Sequence, residues 1–409
     1  MSNKAGKRLV PALRFPEFRN TGDWGQKQLH EAALFVKEKI ALEDISPENY
    51  VSTENLLQDF MGMEPSPNRP RNGSATKFRI NDVLISNIRP YLKKIWVAEI
   101  EGGASNDVIV IREKNKLANK YLSQLLKSDP FIEYVMTGAK GVKMPRGDVE
   151  LIKKFVVAIP KKPDEQQKIA ACLSSLDDLI AAQARKIESL KAHKKGLMQL
   201  LFPAEDETLP KLRFPEFREA EEWEEKRLGD IGSVRMCKRI LKEQTSPSGD
   251  IPFYKIGTFG GVADAYISLE LFGSYRNNFP FPKNGAVLIS AAGTIGRTVR
   301  YNGELAYFQD SNIVWLDNNE NLIADNFLFY LYQLMKWAPS IGAIQRLYND
   351  NILGATIKFP AIPEQQKIAN CLSSLDDLIT AQTQKLETLK TQKAGLMQGL
   401  FPSMAEAEA

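Results

Sequence analysis

A chain of 409 residues with 43% hydrophobic content has material for two substantial cores, one for each half of its length. Its formal net charge of +4 and pI near 8.7 tilt it only mildly toward polyanionic partners. Three cysteines, Cys172, Cys237 and Cys371, exclude a complete disulfide framework and show no metal spacing, and no apolar run reaches the 18 residues of a membrane span.

The opening stretch, MSNKAGKRLVPALRFP, has no signal-peptide core, so the expected location is the cytoplasm. Within it begins the motif LRFPEFR, residues 13–19, which is followed by Trp24. An insert of mixed α and β character runs from about 25 to 160. Its apolar and β-branched runs predict strands at 83–86, 108–111 and 155–159, with a helical stretch over 118–136 and turn-rich segments at 65–75 and 138–148.

A long helix is predicted next, within the segment 161–203. Ile169, Leu173, Leu176, Ile180, Gln183, Ile187, Leu190, Lys194, Leu197 and Leu201 alternate at spacings of four and three, a coiled-coil seam. Asp164 and Pro163 are start signals and Phe202-Pro203 is a stop. At about 36 residues and 1.5 Å per residue the helix spans roughly 54 Å.

The chain then repeats itself at an offset of 199. LRFPEFR returns at 212–218, Trp223 follows, and a second insert runs from 224 to 360, with strands predicted at 286–290 and 312–316, a helix at 324–337 and turns at 245–250 and 273–285. A second helix, 361–403, carries the seam Ile368, Leu372, Leu375, Ile379, Gln382, Leu386, Leu389, Lys393, Leu396 and Leu400, and 404–409 is a frayed tail. Residues 165–203 and 364–402 are identical at 29 of 39 positions while the inserts barely resemble each other, so one frame presents two different surfaces. The expected fold is α+β. Residues 1–160 and 204–360 form two pseudo-twofold-related α/β domains, joined and spaced by the helices as an antiparallel coiled coil. In that pairing Gln183 and Gln382, each at its helix midpoint, meet as a polar register pair.

The inserts offer little for catalysis. His30 and His193 are the only histidines and His193 gives way to Gln392 in the repeat, which leaves almost no material for a zinc site or a histidine-based triad. No phosphate-binding glycine motif opens a helix, and the turn Gly293-Thr294-Ile295-Gly296-Arg297 is the nearest approach to one. Glu224 and Lys226 read as a solvated charge run. Basic and hydrogen-bonding residues instead collect in loops. The first insert holds Arg69, Arg71, Lys77, Arg79, Asn87, Arg89, Lys93, Lys94, Lys140, Lys143 and Arg146, with Tyr91 and Trp96 among them; the second holds Lys238, Arg239, Tyr275, Arg276, Asn277, Asn278, Arg297, Arg300, Arg346, Tyr348 and Asn349. Arginine and lysine suit phosphates and guanine edges and asparagine suits adenine, so these are the candidate DNA-binding residues.

The doubled LRFPEFR motif with its tryptophan, the P-[D/E]-x-Q-Q-K-I-A opening of each helix, the S-L-D-D-L-I core and the G-L-M-Q-x-L-F-P exit resemble the specificity (S) subunit of Type I restriction-modification systems over the whole chain. The resemblance implies that the inserts are two target recognition domains, each reading one half of a bipartite double-stranded DNA sequence. It implies no catalytic residues and no cofactor or metal on this chain. Two modification subunits would methylate adenine with S-adenosylmethionine, and restriction subunits would bring ATP- and magnesium-dependent translocation and cleavage. Leu179, Leu197, Met198 and Leu200, with Leu378, Leu396, Met397 and Gly399, are expected to leave apolar surface on which the modification subunits dock. Alternatives are a complex that methylates without a restriction subunit, an enzyme acting alone, and a coiled-coil scaffold without DNA function. The last explains the helices but not the divergence of the inserts.

Overall fold

The computed structural model describes residues 9–65, 68–114, 117–340 and 345–402; the expected tail at 404–409 lies outside them. The chain divides into two compact units, Met1–Lys186 with Gln382–Ala409, and Ile187–Ala381. Each unit thus combines one insert with a part of each long helix.

In the first unit a four-stranded antiparallel sheet runs in the order Ala33–Phe35, Val108–Glu113, Val83–Ser86, Ile95–Val97. Val83–Ser86 is buried at every position, which is why it is a continuous apolar run and not an alternating one. A second sheet of Lys39–Ala41, Ser74–Phe78, Gly102–Ala104 and Tyr50–Val51 shares a core with the first, in which Val51 and Phe78 join Leu84, Trp96 and Val110. The insert is closed by Gly25–Gln28 pairing antiparallel with Val156–Ile159, so its two ends lie side by side. The helical stretch expected over 118–136 is two helices, Asn119–Leu126 and Asp129–Thr137. Ser128 breaks it by capping the second helix, accepting from the Phe131 N–H, with Pro130 in the first turn.

The second unit repeats the plan. Gly232–Arg235, Ile313–Asn318, Val287–Ser290 and Thr298–Arg300 form the antiparallel sheet, and Glu224–Arg227 pairs with Thr356–Phe359 to close the insert. Part of the segment expected as turns, 273–285, is instead the end of a helix, Leu269–Asn278. Ser268 caps it, and Phe272 buries against Phe281 and Tyr307. Tertiary packing of that aromatic cluster outweighs the turn-forming Gly, Asn and Ser.

The long helices are Pro163–Leu201 and Ile362–Leu400, 39 residues each. In the first unit they run antiparallel. The Gln183 amide donates to both the side-chain and backbone oxygens of Gln382, each at 2.9 Å, and Lys393 reaches Asp177 at 2.5 Å. The second unit contains the mirrored pair Lys194–Asp376 at 2.6 Å, to which Tyr330 adds a hydroxyl bond at 2.8 Å. The predicted seam positions are buried or half-buried on both helices. Met198 and Met397, expected on a docking surface, are core residues instead, Met198 in the cluster that holds Trp223 and Phe327, Met397 in the one that holds Leu173 and Tyr121. Gly399 is half-buried beside Leu13, and Leu200 stays 40% exposed. Leu179 and Leu378, twin positions, do stay exposed, at 53% and 39%.

The repeated motifs find their reason in contacts. In the first unit Arg14 of LRFPEFR donates through Nε and Nη2 to the Glu165 carboxylate at 2.6 and 2.8 Å, and the Trp24 indole N–H adds a third bond at 3.1 Å. In the second, Arg213 makes the same fork to Glu364 at 2.8 and 2.7 Å. The following glutamines, Gln166 and Gln365, tie the helix to its insert by accepting from the Ala118 and Ala324 N–H groups and donating to the Pro160 and Pro360 carbonyls. The LRFPEFR motif, the helix opening and the insert are thus one hydrogen-bonded unit.

Asp177 sits under two opposing influences. Burial works against its charge, but Lys127, Lys393 and the Gln124 amide outweigh it and hold the carboxyl below the usual range. At Lys393 burial wins over Asp177, and the ammonium pKa is lowered. A carboxylate depressed on folding contributes stability above its unfolded value, near 4, and loses it as the pH falls through the folded value. Asp177→Asn is therefore expected to destabilise the protein at neutral pH, with the gap from wild type closing below about pH 4. Thermal unfolding across pH 3 to 7 measures this, and a constant gap would contradict it.

Candidate nucleic-acid interface

Three loops of the first unit converge at the end of its central sheet. An isolated bridge between Ile88 and Arg146 ties the segment after Val83–Ser86 to the loop before the helix Val149–Lys154, and a Lys140–Arg146 bridge closes that loop. Asp107, in the turn before Val108–Glu113, joins both through the Asn87 N–H at 2.8 Å and the Arg146 guanidinium at 2.6 Å. Arg89 N–H also donates to the Pro145 carbonyl at 2.7 Å. This junction brings together Asn87, Arg89, Lys140 and Arg146. Arg89, Lys140, Lys143 and Arg146 are exposed, and so is Arg71 on its own loop. Asn87 is buried, and its side-chain oxygen has no hydrogen-bond partner among the described residues. Arg89 and Lys93 have φ of +50° and +54°, a left-handed backbone that costs a non-glycine residue about 1–3 kcal/mol.

Other candidates point elsewhere. Arg69 turns inward to the carbonyls of Leu42 and Ile45. Lys94 donates to the Thr53 carbonyl at 2.7 Å, and burial lowers its pKa. Lys93 pairs with Asp129 at 2.7 Å on the wall of a cleft of about 1390 Å³ that also includes Lys127, Asp177 and Lys393. Trp96 is buried in the central sheet.

In the second unit Arg239 pairs with Asp310 at 2.9 Å, and Arg346 donates to the Ser311 carbonyl and lies over the Tyr348 ring at 5.9 Å. Arg239, Asp310 and Ser311 line a cleft of about 470 Å³. Lys238 stacks on Phe279 at 5.0 Å, and Arg276 lies over Phe272 and Phe281 at 5.8 and 5.5 Å. Asn277 is exposed, and Asn278 donates to the Ser274 carbonyl at 2.8 Å, inside the helix Leu269–Asn278. Arg297 ties the glycine turn to a distant segment by donating to the Phe259 carbonyl at 2.9 Å. Gly293 and Gly296 there have φ of +65° and +78°, so the glycines serve the turn.

Several residues at these junctions went unread in the sequence. Lys39 bonds to Thr76 and Asn106 at 3.1 and 3.0 Å, Asp107 holds Arg146 at 2.6 Å, and Lys242 and Lys255 line the smaller cleft. The echo of Ser105-Asn106-Asp107 in Asp310-Ser311-Asn312 was the available signal. Among the described residues no group of His, Cys, Asp or Glu could hold a metal, and no helix is long and apolar enough to cross a membrane. Cys237 is a buried thiol with its pKa pushed up to about 12 by desolvation, which makes it chemically inert.

Both halves match one domain family, described as the Type I restriction modification DNA specificity domain, over residues 25–192 and 220–391. The chain belongs to the family of Type I restriction-modification specificity subunits. S.HindORF215P of Haemophilus influenzae, named as a type I restriction enzyme specificity subunit, is 42% identical over 285 residues, 69% of this chain and 71% of that protein. The MjaVIII specificity subunit of Methanocaldococcus jannaschii is 24% identical over 94% of this chain and 92% of its own. The crystal structure of the S subunit from M. genitalium shares the fold at 18% identity, with a TM-score of 0.60 over 97% of this chain and all of that one.

Proposed function

We propose that each unit binds one half of a bipartite double-stranded DNA target through its loop junction, and that the chain performs no reaction itself. Methyl transfer to adenine would come from two modification subunits that bring S-adenosylmethionine. Restriction subunits, with ATP and magnesium, would complete the assembly, in the cytoplasm. The observation that carries this reading is the contrast within the chain: the Arg14–Glu165 and Arg213–Glu364 forks and the Lys393–Asp177 and Lys194–Asp376 pairs repeat almost atom for atom, while the loops mounted on them differ. A repeated frame supplies two equal docking positions, and the differing loops supply two different half-sequences.

Leu179 and Leu378 are equivalent exposed apolar residues, one on each long helix. Leu179→Glu or Leu378→Glu is expected to lower the methyltransferase content of the complex from two copies to one, because a carboxylate in an apolar contact has no partner. Measured by mass after co-purification, with methyl incorporation from labelled S-adenosylmethionine into DNA, the chain alone should be inactive. Incorporation by the chain alone, or two copies retained in both variants, would contradict the proposal.

A further inference from the structure

The loop junctions of the two units are bonded alike although their residues differ. In the first, Gly147 N–H donates to the Asn87 carbonyl at 3.0 Å, Asn87 N–H to the Asp107 carbonyl at 2.8 Å, and Lys140 N–H to the Arg146 carbonyl at 3.0 Å. In the second, Leu347 N–H donates to the Ala291 carbonyl at 2.8 Å, Ala291 N–H to the Asn312 carbonyl at 2.8 Å, and Ser340 N–H to the Arg346 carbonyl at 3.0 Å. The matching positions have drifted: Asn87 against Ala291, Lys140 against Ser340, Gly147 against Leu347. One side chain has not. Arg146 and Arg346 each stand two residues before the N-cap, Asp148 or Tyr348, of a short helix. Each guanidinium is held through Nη2 by the turn that precedes the matching strand: Arg146 by the Asp107 carboxylate at 2.6 Å, Arg346 by the Ser311 carbonyl.

We propose that Arg146 and Arg346 are sequence-independent phosphate anchors, one for each half-site, and that base discrimination falls to the surrounding positions that differ. This rests on the DNA-reading function proposed above. Two surfaces that read different sequences can share a side chain where its contact does not depend on sequence, and the phosphate backbone is what every duplex presents. The residue type suits the task, since a guanidinium fork meets a phosphate through paired N–H groups. One edge is tethered while the Arg146 side chain remains 58% exposed. A surface pair like Arg146–Asp107 is weak enough to yield to a phosphate. Ser311, with φ +55°, and Arg89, with φ +50°, place strained backbone at both junctions, as binding sites often do.

The test is DNA binding by the full chain, with the subunits that co-purify with it, across a salt series. The probes are duplexes carrying the target sequence or single base-pair changes in either half. Arg146→Ala and Arg346→Ala should each reduce the slope of log K against log salt by about 0.9, the value of one phosphate contact, and leave the ranking of the duplexes unchanged. Arg146→Lys and Arg346→Lys, which keep the charge, should restore most of the slope and guard against loss of folding as the cause. Asp107→Asn, which frees Arg146, should tighten binding to every duplex. Unchanged slopes in both alanine variants would overturn the proposal, as would relaxed preference at a single base pair, the mark of a base-reading arginine. A wild-type complex whose binding ignores salt and sequence alike would overturn the DNA-reading function itself.

Discussion

Glu165→Ala is expected to cost about 3–5 kcal/mol, the loss that follows when one partner of a buried ion pair is removed and the other is left uncompensated. Glu165 is 1% exposed, and its two oxygens receive the Arg14 fork and the Trp24 indole. Alanine there would strand a buried guanidinium and a buried indole N–H together. The first LRFPEFR segment would also lose its buried grip on the long helix, leaving the exposed Lys168–Glu17 pair at 3.4 Å and the backbone bond from Leu13 to the Gly399 carbonyl at 2.8 Å to hold it. Glu364→Ala makes the internal comparison. Glu364 receives the Arg213 fork, but Trp223 Nε1 has no partner among the described residues, so one fewer bond to a charged acceptor is at stake. Such a bond contributes about 1.5–3 kcal/mol, and the second variant should be the milder by roughly that amount. Urea unfolding of both variants measures the difference. Losses under about 1 kcal/mol in both would place these forks among ordinary surface pairs.

The frame was legible because its signals are local and doubled. The four-three spacing identified both helices, and their midpoints placed Gln183 opposite Gln382, where the structure has them bonded. The runs at 83–86 and 108–111 gave central strands, since a strand buried on both faces must be apolar throughout. What escaped depends on packing between distant segments. Leu269–Asn278 is helical because Phe272 meets an aromatic cluster, and no local pattern announces that. Met198 and Met397 fall beside the predicted seam, and composition cannot tell an inward methionine from an exposed one.

The candidate interface was legible in type but not in direction. A sequence reports that Arg69 and Lys94 are basic; only the fold shows them turned to the carbonyls of Leu42, Ile45 and Thr53. The equivalence of Arg146 and Arg346 was hidden for a related reason. The frame repeats at 199 residues, but insertions in loops shift these arginines to 200 and the two central strands to 204 and 205, so the match appears only when backbone bonds are compared.

That each unit reads its own half of the target is tested most directly by exchanging residues 25–160 for the insert of another specificity subunit and mapping the methylated adenines. The boundaries are set by the pairing of Gly25–Gln28 with Val156–Ile159, which brings both cut points together. The hybrid should keep Gln124 and Lys127, which reach Asp177, so that the insert still seats on the helix. Each mismatched base pair costs about 1–3 kcal/mol, roughly additively, so three altered pairs amount to about 3–9 kcal/mol, enough to abolish methylation at the original sequence. The expected result is a new methylated sequence in which one half has changed and the other, read by the second unit, has not. A folded hybrid in which both halves change, or neither does, would contradict it.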